Sequence, residues 1–396
     1  MKIAILGMGT VGSGVLKVIQ ENQDHIKKFA DEPIEVTHVF GNSINDQHDL
    51  DLSNITITSD LNDILESDVE LVVEVLGGID FTYSVHKQFL ANGIHVVSAN
   101  KDMLALHINE LAQIGNDNRA QLAYEASSAG GIPIINALTY GLQSNIISRL
   151  MGILNGTTNY ILTKMTAEGT SYEDALTQAQ ELGYAEKDPT NDVEGYDARR
   201  KIALLSRIAY DLDIQEEEIE VKGISSVTTE DLEYGKQAGL VMKLLGKSEY
   251  NGDSLSINVE PVFLPASHQL ATVNEAANAV YVNGNAFGET MFYGPGAGSL
   301  ETASAVVADV MNIMKFGFVG NLVVEEKAKI SQESSEGAYY IRFTSKEAAE
   351  SLAIQGNLIS EDKGHWVILA DDVTNAQVQQ LRASDQVEAI YSLIRD

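Results

Sequence analysis

The chain contains no cysteine, an absence that removes disulfides, thiolate nucleophiles and most zinc sites from consideration. It also lacks any apolar run long enough to span a bilayer, and its first residues pass directly into a strand-like segment rather than a signal peptide. Positive charge is scarce: 26 Lys and Arg against 57 Asp and Glu give a formal net charge of −31. A surface so acidic repels phosphate backbones and anionic lipid, so neither nucleic acid nor a membrane is expected as a partner. The shortage of cations leaves room for a phosphate-bearing cofactor, because N–H groups at a helix N-terminus bind phosphate without side-chain charge. The 396 residues suffice for two or three domains. These exclusions together describe a soluble, cytoplasmic protein.

Among what is present, the N-terminal end is the most ordered pattern. Lys2–Leu6 is a short apolar run, and Gly7-Met8-Gly9-Thr10-Val11-Gly12 follows at once. Val11, Val15, Val18 and Ile19 then recur at helical spacing. This is strand, tight turn and helix, the context in which G-x-G-x-x-G binds a dinucleotide. Gly7 permits the turn, Gly9 lets the backbone approach a pyrophosphate, and Gly12 lets helix and strand pack closely. Further strands are expected at Ile34–Phe40, Leu71–Leu76, Ile94–Ser98 and Gln121–Ala126. Their ends place Gly77, Gly78 and Lys101 near such a cofactor, although Lys101 taken alone reads equally as a solvated loop lysine. The second strand ends in Gly41-Asn42-Ser43, neither the acid that holds a ribose hydroxyl nor the arginine that holds a 2′-phosphate. NAD and NADP both stay open. Ser127–Pro133 is a glycine-rich loop that either turns the chain or exposes carbonyls to a monovalent cation.

From about Asn136 the pattern changes. Arg149–Leu154 reads as a strand, and Asn155-Gly-Thr-Thr-Asn159 opens a helix, as a plain cap or as a carboxylate site. A capping box from Thr170 to Glu173 starts the next helix. Leu182–Lys201 then crowds Glu186, Asp188, Asp192, Glu194 and Asp197 around one proline. Asp197 and Lys201 share a helix face with Leu204 and Ile208, while Arg199 points away. An acid and a lysine on a buried stripe are either a surface pair or a polar pocket able to exchange a proton. The apolar continuation favours the pocket. Val221–Val227, Leu255–Val262 and Ala279–Val282 read as antiparallel strands, and Phe292–Gly298 as a glycine-rich turn before a helix. A linker at 325–336 precedes a tail that reads strand, helix, strand, strand, helix, strand.

These motifs carry a resemblance: over about residues 1–320 the chain resembles homoserine dehydrogenases. The match rests on Gly7-x-Gly9-x-x-Gly12, Val73–Gly78, Ala99-Asn100-Lys101, Leu154–Ile161, Leu182–Lys201 and Tyr293–Gly298. It implies an α/β fold in three parts: a Rossmann-type doubly wound parallel sheet over 1–135, completed by a returning helix at 300–320; an α+β catalytic and dimerisation domain over 136–299; and a small βαββαβ ACT-like module over 337–396. It further implies reversible NAD(P)H-dependent reduction of L-aspartate 4-semialdehyde to L-homoserine, in threonine, methionine and isoleucine biosynthesis, with NADP the preferred cofactor and a homodimer or larger oligomer.

Site roles follow from the same resemblance. Gly7, Met8, Gly9, Thr10, Val11, Gly12, Gly77, Gly78, Lys101 and Gly298 would surround the cofactor. Glu186, Asp192, Asp197, Thr157 and Tyr184 would bind substrate, with Glu186 on its ammonium and the two aspartates around its hydroxyl end. Lys201 and Lys101 would be the proton-transfer pair, Lys201 first, beside Asp197. Carbonyls of Glu125, Ser128, Gly130 and Ile132 would hold sodium. The tail departs from the ACT pattern, since Ser345-Lys-Glu-Ala-Ala replaces the usual acidic-x-x-glycine turn, which weakens threonine feedback. A non-catalytic cofactor-binding sensor, or a dehydrogenase of another amino acid aldehyde, are the alternative functions.

Overall fold

The computed structural model describes residues 1–41, 50–331, 337–362 and 364–395. Asn42 and Ser43, on which cofactor choice rests in the sequence, lie outside the described residues. Contacts divide the chain into two compact units, one of residues 1–144, 203–214 and 294–327, the other of 145–202, 215–293 and 328–396.

In the first unit the opening apolar run forms β1 (Lys2–Leu6), and Gly7 turns it into α1 (Thr10–Glu21), with α2 (Gln23–Ala30) following. Next come β2 (Glu35–Phe40), β3 (Thr56–Thr58), α3 (Leu61–Leu65), β4 (Leu71–Glu74) and α4 (Asp80–Ala91). The series ends with β5 (His95–Ser98), α5 (Lys101–Asn118), β6 (Leu122–Ala123) and a short α6 (Ile134–Asn136). The strands make one parallel sheet in the order β3-β2-β1-β4-β5-β6. That is the Rossmann order, with its reversal between β1 and β4, where such sheets bind dinucleotides. β4 is buried along its whole length, as a central strand covered on both faces must be. The strand expected at Gln121–Ala126 is only two residues long. At Glu125 the chain tightens into a 3₁₀ turn, and the Glu125 N–H donates to Asp309 (2.8 Å) instead of to a neighbouring strand.

The second unit opens with β7 (Ile147–Ile153), α7 (Gly156–Glu168), α8 (Tyr172–Glu181) and α9 (Thr190–Val193). Then α10 (Tyr196–Tyr210), β8 (Glu220–Val221), α11 (Thr229–Gln237), β9 (Leu240–Tyr250), β10 (Leu255–Pro265), β11 (Ala277–Gly284) and β12 (Gly288–Pro295) follow. The chain goes back to the first unit as α12 (Ser299–Phe316), whose Ala303, Val306, Val310 and Ile313 pack with Ile3, Ile5, Val15 and Leu16 in one core cluster. Each of the larger side chains contributes about 1.5–3 kcal/mol by burial. The tail is β13 (Gly337–Phe343), α13 (Lys346–Ser351), β14 (Asn357–Asp362), β15 (His365–Val373), α14 (Asn375–Arg382) and β16 (Val387–Leu393).

The strands of the tail continue the sheet of the second unit, in the order β12-β11-β7-β9-β10-β16-β13-β15-β14, with β8 beside β10. β16 pairs in parallel with β10 through Val262–Ser392 and Phe263–Leu393. Fully buried Asp231 of α11 accepts from Tyr340 Oη (2.9 Å) and Arg342 Nε (2.8 Å) of β13.

Three local expectations are corrected. The strand expected at Val221–Val227 stops at Val221, because Gly223 passes too close to the Val193 carbonyl for any side chain, and Ile224 donates to that carbonyl (2.8 Å) instead of to a strand. Phe292–Gly294 is not a turn but part of β12, where its aromatic residues suit a pleated edge beside β11. The cap of α8 is Ser171, whose Oγ accepts from Asp174 N–H (3.1 Å), one residue later than the Thr170–Glu173 box.

Candidate active site

The glycine turn between β1 and α1 is shaped by two steric requirements. Gly7 sits at φ +105°, and a Cβ there would lie 2.9 Å from the Val75 carbonyl oxygen. A Cβ on Gly12 would collide with the Gly7 carbonyl. Gly9 is different: its φ is an ordinary −74°, and a Cβ would meet no protein atom within 4 Å. Nothing in the protein demands a glycine at that position, whereas a ligand lying on the backbone would. Gly9 is also the N-cap of α1 and offers no side-chain cap, so the helix start suits an anion. Thr10 is exposed, Val11 half-buried and Met8 buried beneath them. The Thr10 carbonyl accepts from Ser299 Oγ (2.6 Å), which follows Gly298 (φ +138°) at the start of α12.

Gly77 and Gly78 follow β4 at φ +75° and +81°, exposed and with free space where side chains would be. Lys101 is the half-buried first residue of α5, a helix capped by Asn100, whose Oδ1 accepts from Met103 N–H (3.2 Å). Buried Glu74 holds this region together and was not singled out by sequence reasoning. Burial pushes its carboxyl up, but the hydrogen bond and charge of His86 hold it below the usual carboxylate range.

In the second unit the acidic stretch folds as α9 and the start of α10. Lys201 Nζ donates to Asp197 Oδ2 (2.7 Å) and to the Leu154 carbonyl (2.8 Å). Their side chains are 13% and 10% exposed, so the pair is a pocket and not a surface bridge. Asn155 Nδ2 donates to Asp192 Oδ1 (2.7 Å) and Asp197 Oδ2 (3.0 Å), while its Oδ1 caps α7 by accepting from Thr158 N–H (2.9 Å). Asp192, Asp197, Lys201 and Asn155 thus form one connected cluster. Thr157 Oγ1 donates to the Tyr184 carbonyl (2.6 Å), and the Tyr184 ring, 48% exposed, lies 5.2 Å from that of Tyr160. Glu186 is exposed, and its backbone carbonyl accepts from Gln180 (3.0 Å). Of the stripe expected around Lys201, Leu204 is buried but Ile208 only half-buried. Arg199 leaves it as expected, toward Glu216 (3.4 Å) and the Tyr196 ring. Asn155 is the member of the cluster that sequence reasoning passed over as a plain cap. The signal was there: an asparagine cap serves acids as readily as a helix start.

The loop proposed for a cation has Glu125, Ser128, Gly130 and Ile132 all buried. Gly130 is at φ +56° and packs so tightly on Gly296 that no side chain fits. The Ile132 carbonyl accepts from Ile134 N–H (2.8 Å), which leaves one lone pair. Ser128 Oγ is buried without a hydrogen-bond partner. The Glu125 carboxylate accepts from the N–H groups of Ile135 (2.8 Å) and Asn136 (2.6 Å). Burial and the neighbouring Asp309 push Glu125 up to about 7, and burial pushes Asp309 up to about 6. Among the described residues no group of three or more His, Cys, Asp or Glu is placed to hold a metal, and no helix is long and apolar enough to cross a membrane.

Known proteins match most of this chain in sequence and in fold. A family profile described as "Homoserine dehydrogenase, NAD binding domain" matches residues 7–125, and one described as "Homoserine dehydrogenase" matches 133–311. The homoserine dehydrogenase of Bacillus subtilis is 42% identical over 351 residues, spanning 87% of this chain and 80% of that protein. That of Pseudomonas aeruginosa is 37% identical over 373 residues, spanning 91% and 86%. Among solved structures, a homoserine dehydrogenase from Thiobacillus denitrificans superposes with a TM-score of 0.89 at 34% identity, covering 100% of this chain and 98% of that one. A hyperthermophilic archaeal homoserine dehydrogenase in complex with NADPH gives 0.67 at 26% identity, covering 81% and 99%.

Proposed function

The chain belongs to the homoserine dehydrogenase family and is an NAD(P)-dependent oxidoreductase, and from that premise we propose that Lys201 exchanges the proton in the reversible reduction of L-aspartate 4-semialdehyde to L-homoserine. The observation that carries this reading is the buried cluster of Lys201, Asp197, Asn155 and Asp192. Two of the three Lys201 N–H bonds go to Asp197 and Leu154, which leaves the third for the substrate oxygen. Asp197 holds the ammonium in place through its 2.7 Å hydrogen bond. As an aldehyde oxygen gains charge it takes the proton from Nζ, and in the reverse direction Nζ receives it from the homoserine hydroxyl. Lys101 is the second proton-transfer lysine. Asp192 and Asp197 bind around the hydroxyl end, Glu186 pairs with the substrate ammonium, and Thr157 and Tyr184 line its neighbourhood. A cationic substrate explains a pocket so rich in carboxylates, because a buried cation needs a counter-charge.

The nicotinamide cofactor supplies the hydride. Gly7, Met8, Gly9, Thr10, Val11 and Gly12 hold its pyrophosphate against the start of α1, with Gly77, Gly78, Lys101 and Gly298 around the rest. NADP is the preferred form, a reading supported by the NADPH complex of the archaeal relative. The carbonyls of Glu125, Ser128, Gly130 and Ile132 take a sodium ion, which the unpartnered Ser128 hydroxyl and the crowding of acidic groups there support. The tail is the regulatory part.

The test is the fall in absorbance of NADPH, and separately of NADH, on adding L-aspartate semialdehyde. A fast fall with NADPH and a Lys201→Ala variant that folds and binds cofactor but turns over at least about a hundredfold more slowly are expected. Wild-type turnover in that variant would reject the role of Lys201. The same assay with L-threonine added tests the tail, and an unaltered rate would reject threonine as its effector.

A further inference from the structure

Glu74, the last residue of β4, has no exposure to solvent. Its Oε1 accepts from the N–H groups of Leu76 (2.8 Å) and Gly77 (3.4 Å), and its Oε2 accepts from His86 Nε2 (2.8 Å) and Ser98 Oγ (2.9 Å). Ser98 ends the adjacent strand β5, and its Oγ accepts in turn from the Asn100 N–H (3.0 Å). Asn100 Nδ2 donates to the Gly78 carbonyl (2.7 Å) and to Thr82 Oγ1 (3.1 Å). Thr82 Oγ1 donates to the same Gly78 carbonyl (2.7 Å). One carboxylate therefore ties the ends of two parallel strands together and fixes both residues of the Gly77-Gly78 turn, one by its N–H and the other by its carbonyl.

The network demands an ionised carboxylate. The two backbone groups can only donate, and the Ser98 hydrogen is free for Glu74 because its oxygen already receives the Asn100 N–H. His86 completes the set through its ring Nε2, 2.8 Å from Oε2. A glutamine at this position would keep the shape but turn a donating NH₂ toward two of the four donors.

We propose that Glu74 is a positioning residue for the cofactor: it holds the Gly77-Gly78 turn in its binding geometry and sets NAD(P)H affinity without touching the ligand. The proposal rests on the reading of Gly77 and Gly78 as cofactor neighbours. It also explains why a charged residue ends an otherwise apolar strand in the middle of a sheet, where an unpaired carboxylate would be strongly unfavourable.

The experiment compares Glu74→Gln, Ser98→Ala and Gly78→Ala with the wild-type full chain, reading KM and equilibrium binding of NADPH, KM of homoserine, and the thermal midpoint. Glu74→Gln is expected to raise the cofactor KM and Kd about tenfold, the effect of about one hydrogen bond, with the homoserine KM changed by less than about twofold. Ser98→Ala, which cuts only the arm to Asn100, shifts the cofactor KM the same way by a smaller factor. Gly78→Ala raises it as well, because a side chain would occupy space at the turn. A Glu74→Gln protein whose midpoint or kcat falls while its cofactor KM stays put would overturn the proposal, leaving Glu74 merely structural. Should Glu74→Gln fail to fold, Ser98→Ala decides, and an unchanged cofactor KM there overturns the proposal. Unaltered cofactor binding in Gly78→Ala would reject the turn as a cofactor neighbour, a different failure that removes the proposal's premise.

Discussion

Asn155 serves two ends with one amide, and an aspartate substitution separates them. Its Oδ1 caps α7 at Thr158, while its Nδ2 donates to Asp192 and Asp197 at 2.7 and 3.0 Å. Aspartate caps a helix about as well as asparagine, so Asn155→Asp keeps the start of α7. It replaces two donated bonds to carboxylates by a third carboxyl in their midst. Each lost charge-assisted bond is worth about 1.5–3 kcal/mol, and the repulsion is relieved only if one of the three acids takes a proton. We expect about 2–4 kcal/mol less transition-state stabilisation at neutral pH, or a fall in kcat/KM of about 30- to 1000-fold. The defect should shrink in acid, because a protonated carboxyl at position 155 again has a hydrogen to donate. Asn155→Ala should show the opposite signature, with a loss at every pH and about 1 kcal/mol of stability gone with the cap. The assay is the initial rate of homoserine oxidation from about pH 5.5 to 8.5, with thermal melting alongside. Wild-type kcat/KM for Asn155→Asp at the alkaline end, or a pH profile identical to that of Asn155→Ala, would refute the reasoning.

Two further outcomes test the fold around the sites. Gly12→Ala should unfold at a markedly lower temperature, since its methyl group would strike the Gly7 carbonyl, whereas Gly9→Ala should melt normally and lose cofactor affinity, because only a ligand would meet that methyl group. Equal melting temperatures would contradict this division. In the second unit, burial alone would raise the carboxyl of Glu260, but the Lys247 ammonium at 2.7 Å, with Ser392 and Asn258, lowers it to about 2. A lowered carboxyl stabilises the fold above its unfolded value of about 4.5. That stability, at most about 3 kcal/mol, is lost as pH falls from there toward 2. Lys247→Met should therefore be less stable at neutral pH and lose less on acidification, and parallel denaturation curves from pH 7 to 2 would argue against it.

What could be read from the sequence was whatever is decided locally. The strand, glycine turn and helix at 2–21 needs only neighbouring residues to make its shape, and the alternation of the tail strands is similarly self-contained. The stripe of Asp197 and Lys201 was legible because helical spacing alone puts both on one face. β9 was not legible, since Lys243 and Lys247 interrupt its apolar pattern. Lys243 is nonetheless almost fully buried, with burial pushing its ammonium down to about 8, and it is accepted by Asn159 Oδ1 (3.0 Å) and Asn274 Oδ1 (3.2 Å). Those partners come from other elements, so nothing near β9 in the sequence announces them. Asn155 and Glu74 were missed for the same reason. An asparagine before a helix and a glutamate at the end of a strand each have a sufficient local explanation, and their second partners lie 37 and 24 residues away.

The return of the chain as α12 has a consequence for how the protein is made. The core of the nucleotide-binding unit pairs β1 and α1 with Ala303, Val306, Val310 and Ile313, and the Thr10 carbonyl waits for Ser299, 289 residues later. A ribosome therefore releases the glycine turn early but cannot complete its support until Ser299–Phe316 has emerged. In that interval the part of the core that α12 fills beside β1 and α1 stays uncovered. The first 144 residues are accordingly not an excisable module. A shortened protein meant to bind nucleotide alone would have to carry α12 spliced directly behind them.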